Sequence, residues 1–335
     1  MADMKNPTAS HPPLARRLAV RVTAADAGCG LLDFLSRRFT YLDRAAWQEE
    51  IAAGRVIVNA VSITTTHTLQ VGDEVEYHPL PMSEPEVATD YRVVYEDDDL
   101  LLIDKPAPLP CHPGGRYFCH TLWALLKEHH DLPQPFFINR LDRETSGLVL
   151  VAKNEDTARH CAAQFTNHMV EKEYLVLVEG MFPAPEVTAT GWLAPDPESA
   201  VRKKMRFYRE CPPLDAKACC TEFTRLTTNN TLSLLRARPR TGRCHQIRAT
   251  LLALGFPVVG DKLYGVDETL FLRFISNRLT ATDWQRLRIP RQALHASRLT
   301  ITHPATGRLL TAAVPLPQEV ANLLTIDHKK RTESP

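Results

Sequence analysis

Hydrophobic and polar positions along the first eighty residues predict short helices followed by short strands. Apolar residues recur at helical spacing over residues 31–35 and again over residues 45–53, which predicts two short amphipathic helices. Gly54 then ends the second helix, and the Arg-Val-Ile-Val-Asn run at 55–59 predicts a strand. Residues 71–77 form a predicted turn that leads into another strand. The pattern indicates a small α/β unit.

The same pattern divides the chain into domains. Residues 1–16 are polar and contain prolines, which predicts a disordered tail. The small α/β unit covers residues 17–80, and a proline-bearing linker follows at 81–90. We predict a larger domain over residues 91–320 and a C-terminal tail at 321–335.

Beyond the linker, short apolar runs outnumber helical patterns. Strands are predicted at 93–95, 100–103, 148–152, 174–178, 221–226 and 232–237, and helices at 122–129 and 246–254. Because the strands follow one another directly, an antiparallel or mixed sheet is favoured over a doubly wound one. We predict the α+β class, with a mixed, largely antiparallel central sheet and flanking helices.

Composition narrows the class of protein. The 335 residues are 44% hydrophobic and 24% charged, which is typical of a soluble globular protein. There is no apolar run of the ~18 residues that a bilayer span needs, and the N-terminus lacks the apolar core of a secretory signal. Eight scattered cysteines without a CxxC pair predict reduced thiols rather than disulfides or a metal site. We expect a cytoplasmic protein without membrane contact.

Positive charge is concentrated in one part of a nearly neutral chain. The whole sequence carries a formal charge of +1, but residues 201–250 hold twelve cations against three acids. Such a window predicts a basic face for a nucleic-acid backbone. A solvated strand face explains the same charges equally well.

An aspartate stands before the apolar strand 148–152 and between two arginines. Asp142 lies between Arg140 and Arg143 in the run Asn-Arg-Leu-Asp-Arg-Glu-Thr-Ser-Gly. Neighbouring cations hold a carboxylate in its ionised form, and loops on rigid scaffolds often carry catalytic groups. Taken alone, this segment is better explained as an ordinary surface turn.

A second polar segment precedes the helix predicted at 246–254. Thr241 and Gly242 expose backbone N–H groups before the helix, where a phosphate or carboxylate can bind. Arg243 and Arg248 offer planar guanidinium groups for the same partners. A capped surface helix is the alternative for this segment.

In this order the segments resemble the RluA-like family of pseudouridine synthases over about residues 91–316. The resemblance includes Arg-Leu-Asp with Thr-Ser-Gly at 140–147, Lys-Glu-Tyr at 172–174, Thr241 to Arg248, Gly-Asp-x-x-Tyr-Gly at 260–265 and Leu-His-Ala at 294–296. It implies a central sheet of the pseudouridine synthase type. It also implies an isomerase that converts uridine in RNA to pseudouridine without a cofactor or a metal, with a monomer as the default state.

The resemblance assigns roles within this domain. Asp142 matches the family's catalytic aspartate, Arg248 its ion-pair partner, and Tyr174 the tyrosine that stacks on the uracil. Attack at C1′, attack at C6 and elimination through a glycal all stay open for the aspartate. Because a target uridine must leave its helix to react, we expect Arg140 to fill the space that it vacates. The remaining expected RNA contacts are Arg143, Arg243 (second choice as ion-pair partner) and His245.

Residues 17–80 resemble the S4-type RNA-binding module. Two helices, then Gly-Arg-Val-Ile-Val-Asn and Val-Gly-Asp-Glu-Val-Glu-Tyr, carry this resemblance. It implies RNA contacts by the cations of the helices and their loop, namely Arg37, Arg38, Arg44 and Arg55. The module favours ribosomal over transfer RNA as the substrate.

Two positions depart from the family pattern, and two other functions compete. Many relatives have histidine where this chain has Asn139 and Thr250. A non-catalytic RNA-binding or ribosome-assembly factor on the same fold is one alternative, although it predicts a substituted Asp142. A glycosidase-like enzyme is the other, and it needs a second carboxylate, for which Glu144 is the nearby candidate.

Overall fold

The computed structural model describes residues 18–39, 42–80, 84–130 and 132–329, with the backbone alone for 326–329. The tail predicted at 1–16 lies outside the described residues. The chain divides into two compact units. The amino-terminal unit takes in residues up to Pro85 together with Pro113–Cys119, and the carboxy-terminal unit takes in Glu86–His112 and the residues from His120 onward. The division after Pro85 falls inside the segment predicted as a linker.

The amino-terminal unit packs two helices against a small antiparallel sheet. Its elements are β1 (Leu18–Arg21), α1 (Leu31–Arg38), α2 (Arg44–Ala52), β2 (Val56–Val58), β3 (Val61–Ser62) and β4 (Glu74–Tyr77). The strands are ordered β1-β4-β2-β3. Phe34 of α1 and Trp47 of α2 are fully buried in its core. The carboxylate of Glu84 accepts hydrogen bonds from the backbone N–H groups of Phe118 (2.8 Å) and Cys119 (3.0 Å), which connects the returning segment to this unit.

The carboxy-terminal unit is built on one large sheet. Its strands are β5 (Arg92–Glu96), β6 (Leu100–Lys105), β7 (Phe136–Phe137), β8 (Ser146–Ala152), β9 (Glu171–Glu179), β10 (Glu186–Pro195), β11 (Met205–Tyr208), β12 (Lys217–Thr228), β13 (Leu232–Pro239), β14 (Leu294–Thr302) and β15 (Leu309–Ala313). Its helices are α3 (Leu122–His129), α4 (Glu155–Thr166), α5 (Gln246–Ala253), α6 (Thr269–Ile275), α7 (Ala281–Leu287) and α8 (Gln318–Lys329).

The described strands of this sheet are mostly antiparallel. Their order is β11-β10-β12-β13-β9-β14-β8-β6-β5, with β15 on β14 and β7 on β8. β14 and β8 run parallel, whereas the other strand pairs are antiparallel. The predicted α+β class, with a mixed and largely antiparallel sheet, is confirmed.

The sheet is covered on both faces at its centre. Alternate residues of β8 belong to different core clusters: Leu148 and Leu150 lie in one, and Val149 and Val151 in another. A strand that is buried on both faces has an unbroken apolar sequence rather than an alternating one. This explains why the run at 148–152 is apolar throughout.

The prediction of a C-terminal tail at 321–335 is wrong for residues 321–329, which belong to a helix. Residues 318–329 form α8, in which Val320 is fully buried and Leu323 and Leu324 pack against the same core cluster. Apolar residues at positions i, i+3 and i+4 give the helix one face to bury, and this burial favours the helix over a free tail. None of the described helices is both long and apolar enough to cross a membrane.

Candidate active site

Asp142 lies on a loop between β7 and β8, and backbone hydrogen bonds fix the conformation of this loop. The backbone N–H of Leu109 donates to the carbonyl of Arg143 at 2.8 Å, and the N–H of Thr145 donates to the carbonyl of Asp142 at 3.1 Å. Leu141 points into the core. Because these bonds and this apolar anchor fix the residues on either side, the Asp142 carboxylate has a defined direction.

Gly147 brings the Asp142 loop close to β14. Its φ of +107° lies in a region that side chains rarely adopt, and a Cβ there would lie 2.2 Å from the carbonyl oxygen of Ala296. Only glycine permits both this conformation and this approach. Beside it, the hydroxyl of Ser146 and Nδ1 of His295 form a buried hydrogen bond of 2.9 Å. The Thr-Ser-Gly turn is thus required by packing under the site.

Arg248 joins two carboxylates through one guanidinium group. Its Nη1 donates to Oδ2 of Asp142 at 2.8 Å, while Nε and Nη2 donate to the two carboxylate oxygens of Asp261 at 2.6 and 2.9 Å. Asp261 is held in turn by the backbone N–H groups of Leu263 and Tyr264, both at 2.9 Å. The two hydrogen bonds to Asp261 orient the planar guanidinium group of Arg248, so that its third nitrogen, Nη1, points at Asp142.

These contacts keep both acids ionised. Burial by itself raises the pKa of Asp142, but the Arg248 guanidinium outweighs it, and the pKa lies below the ordinary 3.8. The pKa of Asp261 is lowered in the same way, with burial again opposed by Arg248. Burial also opposes the charge of Arg248, yet the two carboxylates raise its pKa. At neutral pH the cluster holds two carboxylates around one guanidinium.

The two oxygens of Asp142 have different surroundings. Oδ2 accepts from Arg248 and also faces Nε2 of Gln292 at 3.4 Å, and that same amide group hydrogen-bonds the Thr145 hydroxyl. Oδ1 lies 3.7 Å from Nε2 of His245, which is its one ion-pair contact among the described residues. About a third of the side chain (36%) stays exposed. The carboxylate therefore presents Oδ1 to an incoming ligand.

The loop before α5 is organised by Gln246. Its side-chain oxygen accepts from the Thr241 hydroxyl (2.7 Å) and the Arg243 backbone N–H (3.0 Å), and its amide donates to the carbonyl of Cys220 (3.0 Å). His245 then takes a left-handed backbone conformation with φ 54° at the start of the helix. This is sparsely populated for a residue with a side chain, and such strain is concentrated at functional sites.

Tyr174 stands on β9 between two core clusters and near Asp142. It pairs with Ala237 of β13 and Ala296 of β14, and it is half-buried. Burial, with the charge of Asp142 adding to it, raises the pKa of Tyr174 to about 12. The side chain is therefore a neutral phenol at physiological pH.

The predicted RNA contacts in this unit have different surroundings. Arg140 and Arg243 are exposed, and Nε of Arg243 donates to the carbonyl of Ala218 at 3.2 Å. Arg143 is partly buried, pairs with Glu144 at 2.6 Å and lies over the ring of Phe274 at 5.1 Å. His245 is nearly buried and faces Asp142.

The four arginines of the amino-terminal unit are all in ion pairs. Arg37 and Arg38 lie 2.8 and 3.9 Å from the carboxylate of Asp26, and Arg44 pairs with Asp33. The exposed fractions of these three arginine side chains are 63%, 47% and 59%. Arg55 is different, because Nε and Nη2 both bind Glu50 and only a quarter of its side chain is exposed.

At least half of the twelve cations in the basic window at 201–250 are paired with acids in the folded chain. Most of the partner acids lie outside the window. The paired cations are Lys204, Arg206, Arg236, Arg238, Arg240 and Arg248. The net charge of a sequence window therefore overstates the positive charge of this surface.

The two departures from the family pattern lie under the site. The Asn139 side chain accepts from the backbone N–H of Leu150 at 2.8 Å and donates to the carbonyl of Leu148 at 3.2 Å, so it fastens the loop to β8. Thr250 is buried, and its hydroxyl has no hydrogen-bond partner among the described residues.

Sequence reasoning assigned no role to several residues that complete the site. Asp261 and Tyr264 lie in the Gly-Asp-x-x-Tyr-Gly segment, and Gln292 lies before β14. The glycines around Asp261 indicated a tight turn in the sequence, whereas no neighbouring residues of Gln292 formed a motif that pointed to it. Within the described residues no group of three or more His, Cys, Asp or Glu side chains is arranged to hold a metal ion.

Comparisons with known proteins show what this chain is similar to. The family described as RNA pseudouridylate synthase matches residues 99–253. An uncharacterized RNA pseudouridine synthase of Synechocystis is 32% identical over 294 residues, which is 87% of this chain and 95% of that protein. Ribosomal large subunit pseudouridine synthase D of Nitrosomonas europaea is 35% identical over 70% of this chain and 64% of that protein.

A solved structure resembles the fold. Human RNA Pseudouridylate Synthase Domain Containing 1 matches with a TM-score of 0.54 and 25% identity, over 70% of this chain and 86% of that chain.

Proposed function

The chain belongs to the RNA pseudouridine synthase family, and we propose that Asp142 is the nucleophile with which it isomerises a uridine of RNA. The reaction replaces the N1–C1′ bond by a C5–C1′ bond, so C5 loses a proton and N1 gains one. A carboxylate suits this chemistry because it attacks, holds one fragment and then leaves. The observation that carries the proposal is the Asp142–Arg248–Asp261 cluster, which keeps Asp142 ionised although burial opposes its charge.

Oδ1 is the attacking oxygen in this proposal. Oδ2 is committed to Arg248, which fixes the plane of the carboxylate. Oδ1 carries no direct hydrogen bond from a described residue, so its lone pairs are available to C1′ or C6. A geometry fixed before the substrate binds reduces the entropic cost of reaching the transition state.

Tyr174 stacks on the uracil as a neutral phenol. Its pKa of about 12 means that little phenolate exists at pH 7. We therefore assign it a stacking role and no proton transfer.

Arg140 is proposed to occupy the space that the flipped uridine leaves. It is exposed and lies two residues before Asp142, and the Asp142 loop is fixed on both sides. We expect Arg140→Ala to lower kcat/KM by about tenfold or more on a structured RNA, because the cost of unstacking is then not offset. An oligonucleotide whose target uridine is already unpaired is expected to react at the normal rate. Equal loss on both substrates, or no loss on either, would contradict this role.

The amino-terminal unit is proposed to supply phosphate affinity as an S4-like module. Arg37, Arg38 and Arg44 are well exposed, and each partner acid can be exchanged for a phosphate. Arg55 is committed to Glu50, so we give it a structural role instead.

Removing those three arginines is expected to weaken RNA binding through its salt-dependent part. For the triple alanine variant, the slope of log K against log salt concentration should fall by roughly two to three. The turnover of saturated enzyme should stay unchanged. A triple variant of Arg92, Arg159 and Arg308, which are exposed in the other unit, controls for net charge. An unchanged slope, or equal losses in both variants, counts against the module's role.

Ribosomal RNA is the proposed substrate class. The S4-like module favours it, and so does the similarity to the Nitrosomonas protein, which is named as a pseudouridine synthase of the large ribosomal subunit. Mapping pseudouridines in total RNA from a deletion strain and its parent identifies the site: a ribosomal position that disappears supports the proposal, and a transfer-RNA position overturns it. That the protein is a cytoplasmic monomer stays a prediction.

Neither competing function is favoured. A non-catalytic factor is not expected to retain an ionised Asp142 with its Arg248 partner. A glycosidase needs a second carboxylate as acid, but Glu144 is bound by Arg143 at 2.6 Å and by Lys262 at 2.8 Å.

A further inference from the structure

The proton on the His245 ring can be located from its hydrogen bonds. The Tyr264 hydroxyl accepts from the backbone N–H of Met205 at 2.7 Å and lies 2.8 Å from Nδ1 of His245. The hydroxyl proton of Tyr264 has one acceptor within reach among the described residues, which is Nδ1 of His245, so we infer that the hydroxyl donates to this nitrogen and that Nδ1 is unprotonated. The neutral ring then carries its proton on Nε2, which is the nitrogen that faces Oδ1 of Asp142.

We propose that His245 is a positioning residue: a neutral imidazole, held by Tyr264 with its proton on Nε2, that orients the attacking oxygen of Asp142. The inference rests on the proposed role of Asp142 and adds a second fixed contact to that carboxylate. Arg248 holds Oδ2, and His245 holds Oδ1 when substrate closes the 3.7 Å gap. Catalytic hydrogen bonds are often long before the substrate binds.

The surroundings of His245 favour the neutral ring. Burial is the main cause that lowers the pKa of His245 to about 4, and Arg248 on α5 and Lys203 on the loop before β11 add to it. Asp142 and Asp261 oppose this shift, and the raised pKa of Tyr264 keeps its hydroxyl protonated. Neighbouring Cys244 carries a thiol whose pKa is raised by burial, so it stays uncharged.

A neutral donor has a chemical advantage at this place. An imidazolium beside Oδ1 would form a second ion pair with Asp142 and reduce the electron density that the attack needs. A neutral N–H directs the lone pair without that loss. The left-handed backbone of His245 and the bonds of Gln246 aim the ring at the carboxylate, away from solvent.

Nitrogen NMR tests the tautomer directly in the full-length protein. Two-bond proton–nitrogen spectra of histidine-labelled protein are recorded from pH 5 to pH 8, and His245 is assigned by comparison with His245→Gln. We expect an unprotonated Nδ1 and a protonated Nε2 over the whole range, because the pKa of His245 lies near 4. A proton on Nδ1, or an imidazolium at neutral pH, overturns the proposal.

Two matched substitutions separate positioning from RNA binding. Glutamine places its amide nitrogen near the position of Nε2, whereas asparagine reaches only to that of Nδ1. We expect His245→Gln to keep kcat within about tenfold and His245→Asn to lose about 100-fold, with KM for RNA unchanged in both, since a small misplacement of a reacting group has effects of that order. Equal kcat in the two variants, or a change confined to KM, contradicts positioning and favours a direct RNA contact.

Tyr264→Phe adds a readout that a purely structural role would not move. Without the hydroxyl, nothing holds Nδ1 as an acceptor, so the ring can carry its proton on Nδ1 while burial still keeps it uncharged. In the nitrogen spectra of this variant we expect part of the population to be protonated at Nδ1, and kcat should fall with the loss of the Nε2–H form while KM for RNA stays unchanged. A ring that stays fully protonated at Nε2, or an unchanged kcat, overturns the role of Tyr264. Pseudouridine formation, and its dependence on Asp142, tests the proposed function separately, because these can hold while the histidine results fail.

Discussion

Replacing Asp142 by asparagine is expected to abolish pseudouridine formation while the protein still folds and binds RNA. Asparagine keeps the size of the side chain and a contact for Arg248, but it has no carboxylate to form and release a bond. Removing a nucleophile typically lowers kcat by about 1000-fold or more. Carbodiimide treatment of the RNA followed by primer extension measures the product, because the adduct on pseudouridine stops the polymerase.

The matched control for this variant is Asp156→Asn. Asp156 is an exposed acid at the start of α4 with an ion pair to Arg159, so it tests the loss of one negative charge away from the site. We expect this control to show wild-type yield. Wild-type yield from Asp142→Asn itself would reject Asp142 as the nucleophile.

Replacing Arg248 by methionine is expected to remove activity and to destabilise the fold. The change leaves Asp142 and Asp261 without their shared cation, and the Asp261 side chain is fully buried. Breaking a buried ion pair from one side commonly costs about 3–5 kcal/mol of unfolding free energy. Urea unfolding monitored by fluorescence measures this loss, and Arg240→Met, which breaks an exposed pair with Glu222, is expected to lose less.

The destabilisation should depend on pH in a defined direction. In the wild type the pKa values of Asp142 and Asp261 lie below the ordinary 3.8, so their stabilising effect is present above about pH 4 and disappears as the pH falls through the folded-state pKa values. Without Arg248, the largest influence that opposes burial is lost, so the pKa values of both acids rise. The stability gap between the two proteins should therefore be largest near neutral pH and shrink in acid. A gap that does not change with pH would contradict the electrostatic account.

The central strands could be predicted from the sequence because their signal is local. Residues 100–103 and 148–152 are apolar throughout, since β6 and β8 are buried on both faces. β14 was missed because its sequence mixes buried apolar positions with His295, Ser297 and Arg298, and its place is set by pairing with β8 and β9. Such long-range pairing leaves no periodic pattern in the strand itself.

The sequence likewise identified some residues of the candidate site and missed others. The resemblance put Asp142 and Arg248 together, and the structure places their side chains 2.8 Å apart. Asp261 and Gln292 reach this cluster through tertiary packing, which spacing along the chain does not reveal. Arg55 shows a local signal that was overlooked, because Glu50 lies five residues before it, at the end of α2, within reach of the guanidinium.

The fate of the uracil base tests the central claim most directly. Purified protein is incubated with RNA that carries tritium at C5 of uridine, and the digested product is separated by chromatography. The account predicts one tritium released to water for each pseudouridine formed, with no free uracil, and neither product from Asp142→Asn. Free uracil, or tritium release that persists without Asp142, would contradict it.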